Sequence, residues 1–252
     1  MTGLAFGLDL GGLLIAAAAL FIGGFARGLT GFGNAAIIMA ALTLFLSPRE
    51  VVPVAVGLEV VAGIIQLPFL WAQVNRKLLA TLMVGAVCAT PFGVLALVAV
   101  DGETVRLAIL AFILVASVVL LSGLALPRAK TTLATLAAGA VSGFANGAAG
   151  LSGLPIALFL AARSEQATMM RATLAIYILL IGLATLAIFA WRDLLIPEAI
   201  NRTAAGTPLM IAGLIVGMRS FAYVSPSLFR RITLVLLMAI AAFGTARTIL
   251  AL

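Results

Sequence analysis

Apolar segments of membrane-crossing length recur along this chain with little polar sequence between them, and that pattern excludes most folds at the outset. A helix needs about 20 apolar residues to span the hydrocarbon core of a bilayer. Apolar blocks run over residues 11–46, 51–72, 78–100, 104–126, 133–162, 172–191, 203–218 and 232–250. Most are apolar on every side, whereas a soluble helical protein shows polar stripes at helical spacing. Charged residues make up 9% of the chain; a soluble domain carries about 25% and uses them to cover its surface. The expected fold is an all-α polytopic membrane protein.

The sequence repeats itself. Gly24-Phe-Ala-Arg-Gly-Leu-Thr-Gly-Phe-Gly33 aligns with Gly143-Phe-Ala-Asn-Gly-Ala-Ala-Gly-Leu-Ser152, and Thr90-Pro91 with Thr207-Pro208. Trp71 and Trp191 each close the helix that follows a glycine segment. Internal duplication of this kind marks secondary transporters. It predicts a first half over 1–126, a cytoplasmic linker over 127–132 and a second half over 133–252. Each half holds a glycine-broken helix or re-entrant hairpin followed by three transmembrane helices.

Charge orients the halves. Basic loops stay on the cytoplasmic side, which places Arg76, Lys77, Arg128 and Lys130 there and leaves Arg49, Glu50, Asp101, Glu103 and Arg106 outside. If block 133–162 returns as a hairpin, Arg219, Arg230 and Arg231 also become cytoplasmic. Blocks 11–46 and 133–162 exceed one simple span, at about 1.5 Å per residue. Two hairpins would make the repeats inverted; a tilted broken helix fits the lengths almost as well.

Backbone that leaves a helix within lipid must be buried in protein or line a wet cavity. Two glycine breaks at matching positions therefore point to one shared site. Helices restarting near Asn34 and near Gly153 or Leu154 would aim unpaired N–H groups and the positive ends of their dipoles at an anion. Glycine alone could instead serve close helix packing. The polar residues around the breaks favour the site: Arg27, Gly28, Thr30, Gly31, Gly33 and Asn34 in the first, and Ser142, Asn146, Gly147, Gly150, Ser152 and Gly153 in the second. An arginine at membrane depth costs about 2.5–3.5 kcal/mol on insertion scales and faces a cavity or a partner, unless it snorkels to the interface. Arg27 is thus assigned to the anion, and Arg27→Ala is expected to abolish transport in a folded protein. Glu59, inside block 51–72, either carries a coupling proton or neutralises Arg27. Gln66 and Tyr177 are weaker candidates, since a lone polar residue can satisfy a neighbouring backbone group.

The duplicated segments, the short acidic-basic loop that follows and the eight apolar blocks resemble the TauE/SafE sulfite exporter family, also called the four-toluene-sulfonate uptake permease family. The resemblance covers nearly the whole chain. It implies a multi-pass carrier of the bacterial inner membrane that moves sulfite, thiosulfate or an organosulfonate, without a cofactor. The chain departs from the family's glycine-rich run at Phe32-Gly33-Asn34-Ala35, and Arg27 and Glu59 have no assigned place in the family pattern.

Other functions fit less well. Gly150-Leu-Ser-Gly153 has the outline of a rhomboid serine motif, but that chemistry needs a histidine base and the chain has no histidine. The same absence removes histidine metal sites. Asp9, Asp101 and Asp193 all lie at the ends of apolar runs, which does not suit a two-aspartate protease. A nucleotide-cradling loop is missing, and the short loops offer no dock for an ATPase. The net charge of +7 sits between apolar runs and lacks the clustering of a nucleic-acid surface. Cys88 reads as a small core residue. An anion channel or an organic-carboxylate permease would share the same buried polar groups.

Overall fold

The computed structural model describes residues 6–122, 131–163 and 166–221, together with residues 223, 225 and 238. Within them the chain forms α1 (Leu10–Thr30), α2 (Asn34–Leu42), α3 (Pro48–Leu70), a 3-10 turn (Trp71–Gln73), α4 (Arg76–Ala99), α5 (Gly102–Ser122), α6 (Thr132–Ala149), α7 (Gly153–Ala162), α8 (Ala167–Trp191) and α9 (Pro197–Ser220). Among the described residues, six helical segments are long and apolar enough to cross a membrane: Leu10–Thr30, Pro48–Gln73, Arg76–Ala99, Gly102–Val119, Ala167–Trp191 and Pro197–Ser220. Helix starts carry recognisable caps. Asp9 accepts from the Gly12 amide at 2.9 Å, Asn75 from Leu78 at 3.1 Å and Thr131 from Ala134 at 3.2 Å, satisfying donors that a first turn leaves free. Pro48 and Pro197 open α3 and α9, where a missing N–H costs nothing.

Two helix pairs cross so closely that backbone touches backbone. Along α1 and α9, a side chain at Gly24 would strike the Met210 carbonyl, and one at Gly28 the Leu214 carbonyl. Along α4 and α6, Gly143 meets the Ala86 carbonyl and Gly147 that of Thr90. Contact numbers rise together in both pairs, so α1 runs parallel to α9 and α4 parallel to α6. In contrast, Gly63 packs on Leu179 and Gly182 on Val60, so the two most buried spanning helices, α3 and α8, run antiparallel.

These directions sort the charges. One end of the bundle gathers Arg76, Lys77, Arg163, Arg171 and Arg219, with no acidic residue there among the described residues. The other end mixes Asp9, Glu50, Asp101, Glu103, Asp193 and Glu198 with Arg49, Arg106, Arg192 and Arg202. Arg202 there bonds Glu50 at 2.6 Å, tying α9 to α3, and Arg49 donates to the Val98 carbonyl at 2.7 Å, closing the end of α4. Trp71 and Trp191 end antiparallel helices and so mark opposite ends, each exposed and each stacked on by an arginine, Arg76 at 5.5 Å and Arg192 at 5.3 Å. Tryptophan favours such a membrane–water boundary.

Several boundaries differ from the sequence reading. Arg49, Glu50, Arg76 and Lys77 belong to first turns of helices rather than to loops. Helix α8 starts at Ala167 and α9 at Pro197, each five or more residues before the apolar run begins. Polar side chains extend these helices beyond the apolar blocks, because their heads reach water or a partner while their stems stay on the helix. Arg128, Lys130, Arg230, Arg231 and nearly all of block 232–250 lie outside the described residues, as does most of the 127–132 linker.

Candidate functional site

Both long blocks fold back on themselves at their glycines. Helix α1 ends on Gly31 at φ 86°, and the chain turns again at Gly33, φ 100°. Both are left-handed conformations that cost an ordinary side chain about 1 kcal/mol or more. The turn returns Asn34 to pack against Gly23, so α2 starts level with the body of α1. In the second half α6 ends on Gly150, φ 68°. The Gly150 and Leu151 amides bond back to the Asn146 and Ala145 carbonyls at 2.8 and 3.2 Å, and the Gly150 bond closes the helix as an αL cap. Ser142 then donates to the Ser152 carbonyl at 2.8 Å and accepts from the Tyr177 hydroxyl at 2.9 Å, holding the return segment against α6.

The two turns meet. A Cβ on Gly153 would stand 3.2 Å from the Cβ of Phe32. Between them lies a small cavity lined by Gly33, Ala35, Ala36, Glu59, Gly150, Leu151, Ser152, Gly153 and Leu154. The first turns of α2 and α7 therefore form facing walls, and Glu59 of α3 supplies the one charged group among the lining residues. Its volume is about 10 Å³, room for about one water.

Glu59 places its carboxylate at the N-terminus of α2, where the positive end of a helix dipole favours negative charge. Helix α2 is capped by Gly33, which has no side chain to satisfy the first amides. Glu59 does so instead, its Oε1 accepting from the Ala35 amide at 2.9 Å. Its Oε2 lies 3.3 Å from Arg27 Nε. Arg27 is fully buried and also donates through Nη1 to the Gly31 carbonyl and through Nη2 to the Ala175 carbonyl at 3.0 Å. It therefore ties the α1 turn to α8 and does not snorkel.

The other candidates divide. Gly33, Gly150, Ser152 and Gly153 line the cavity, and Arg27 joins it through Glu59. Gly28 and Gly147 lie away from it, in the α1–α9 and α4–α6 crossings. Gly31 packs on Arg171. Thr30 bonds the Ala26 and Phe32 carbonyls at 2.9 and 3.0 Å. Asn146 donates to Thr185 at 2.7 Å. Gln66 reaches the Arg27 carbonyl at 3.4 Å, while its Oε1 and both polar atoms of the Asn34 side chain are buried without a partner.

A family description, sulfite exporter TauE/SafE, matches residues 15–244, which take in both glycine turns and every helix that walls the cavity. The chain belongs to the TauE/SafE sulfite exporter family. Comparison with curated proteins and with solved structures finds no match. As a TauE/SafE protein it is a multi-pass membrane protein of a transporter family, and a small anion is the class of substrate that membership implies.

Sequence reasoning missed one buried charge of this TauE/SafE protein, which the fold sets against the end of α1. Arg171, in the first turns of α8, donates to the Gly28 carbonyl and lies over the Phe221 ring at 4.1 Å. The signal available was a single arginine adjoining block 172–191, which reads as an ordinary boundary charge.

Proposed function

We propose that this protein is a secondary transporter, most simply an exporter, of a small sulfur-containing anion such as sulfite, thiosulfate or an organosulfonate. The observation that carries this is the Glu59 carboxylate sitting between two helix N-terminal turns and beside Arg27. A helix N-terminus and a planar guanidinium both suit an oxyanion, and the protein fills that seat with an anion of its own. A substrate would take over the Ala35 amide and the Arg27 face, with further donors from the α7 turn.

The cavity of about 10 Å³ is too small for an anion of four heavy atoms, given that it holds about one water. The conformation described is therefore closed, and substrate must arrive with an opening movement. The helix directions support a pair of inverted repeats: α1, α3 and α4 each run opposite to their counterparts α6, α8 and α9. That arrangement favours rocking of one element pair against the other around a central site. The bundle end carrying Arg76, Lys77, Arg163, Arg171 and Arg219 faces the cytoplasm under the positive-inside rule, in a bacterial inner membrane.

Glu59 also supplies the coupling. With Glu59 charged, Arg27 is already neutralised, and a second anion adds an unpaired negative charge to a low-dielectric site. A proton on Glu59 would free both Arg27 and the Ala35 amide, so that protonation and anion binding would be linked. The oligomeric state does not enter this mechanism.

An organic carboxylate is the second reading, and it has a specific support, since the group already in the seat is a carboxylate. A melting screen of purified protein against sulfite, thiosulfate, organosulfonates and carboxylates tests both, because a ligand of the native state raises the melting temperature. Stabilisation by the sulfur oxyanions, followed by saturable flux in liposomes, supports the proposal. Stabilisation by carboxylates alone moves the substrate class, and flux that does not saturate indicates a channel.

A further inference from the structure

Among the described residues, Arg171 is a buried cation with no acidic partner. The residue is 9% exposed, yet among the described residues no carboxylate pairs with it, and its Nε has no hydrogen-bond partner. Arg27, the other buried arginine among the described residues, has Glu59. A buried cation without a counter-ion is expensive, and in membrane proteins such groups mark ion pathways.

Its surroundings indicate what would balance it. The guanidinium is stacked at 4.1 Å on Phe221, at the end of α9, which fixes its plane. One donor goes to the Gly28 carbonyl, an acceptor left free because the Phe32 amide turns to the Thr30 hydroxyl at 3.4 Å. That bond caps the end of α1 and uses one of five donors. The remaining fork is flat and oriented, suited to two oxygens of an oxyanion. Arg171 also stands at the basic end of the bundle, where no acid competes among the described residues.

The fold connects this residue to the cavity. A Cβ on Gly31 would lie 3.1 Å from Arg171 Cγ, and the carbonyl of that same glycine receives Arg27 Nη1. Arg27 in turn faces Glu59 at 3.3 Å. From the basic end inward the order is Arg171, the Gly31 turn, Arg27, Glu59.

We infer that Arg171 is a second anion-binding group, an access subsite on the basic side that receives a small oxyanion before it reaches Arg27. The inference rests on the transport reading above. It names Arg171 as the positioning residue for substrate arriving from, or leaving to, one side only. A purely structural cap on α1 would serve both sides equally.

The test uses the full-length protein in liposomes of fixed orientation, with sulfite as probe, and compares wild type with Arg171→Gln and Arg171→Lys. Glutamine keeps a donor for Gly28 without the charge; lysine keeps donor and charge without the planar fork. The expected result is a tenfold or greater rise in half-saturating sulfite for Arg171→Gln when sulfite is offered on the basic side, with less than a twofold change from the other side. Arg171→Lys should fall between, and each variant should melt within a few degrees of wild type. Equal changes on both sides, or none, overturn the subsite while leaving transport intact. Should Arg171→Gln fold poorly, the sidedness of Arg171→Lys decides alone. Wild type that neither binds nor moves sulfite, thiosulfate or an organosulfonate removes the transport reading, and the subsite with it.

Discussion

The Arg27–Glu59 pair allows a quantitative prediction. Replacing Arg27 by leucine leaves Glu59, 4% exposed, without its counter-ion, and strips the Gly31 and Ala175 carbonyls of their charged donors. Breaking a buried pair by removing one partner costs about 3–5 kcal/mol. Glu59→Gln keeps an acceptor for the Ala35 amide but leaves Arg27 uncompensated, a loss toward the lower end of that range because two carbonyls still hold the guanidinium. For a chain of this size 1 kcal/mol moves the melting midpoint by about 2–4 °C, so each single variant should melt roughly 6–20 °C early. The double variant Arg27→Leu/Glu59→Gln buries no net charge and should melt no lower than the worse single variant, a coupling of about 3 kcal/mol or more. The assay is thermal melting of the four purified proteins in one detergent. Shifts that simply add would show that the two residues act independently, and would refute the account of Glu59 as the resident anion of Arg27. The expectation that Arg27→Ala leaves a sound fold is revised on the same ground: the pair supports both structure and site, and transport should be judged in the double variant, which is expected to be inactive.

Three further outcomes follow from the geometry. Glu59→Gln should flatten the pH dependence of anion flux relative to wild type, because the carboxyl proposed to carry the coupling proton is gone; an unchanged pH profile in liposomes would assign the coupling elsewhere. Gly143→Leu should block the α4–α6 crossing, where the Ala86 carbonyl already fills the space, and overpacking of about 1–3 kcal/mol or more should appear as early melting, while Gly7→Ala, with nothing within 4 Å, costs only its positive φ. Ser142→Ala should cost about 1–3 kcal/mol by leaving the buried Tyr177 hydroxyl without its acceptor, and adding Tyr177→Phe should recover part of that loss in the same melting assay.

Sequence alone determined the solvent and the punctuation of this protein. Apolar blocks with 9% charge require lipid around them, and glycines that recur at matched offsets locate the two turns, since only glycine tolerates the backbone at Gly31, Gly33 and Gly150. Those are local properties, set by residues a few positions apart. What each glycine does was not local. Gly28 and Gly150 look alike in the aligned motif, yet one lies in a helix crossing and the other lines the cavity, because a partner helix more than a hundred residues away decides which face is covered. The same holds for charge. Arg27 and Glu59 were legible as buried ions, but that Glu59 caps α2, and that Arg171 reaches the end of α1 across 143 positions, came from packing. Hydrogen bonds and ion pairs act over a few ångströms, and only the tertiary fold brings such distant positions within that range.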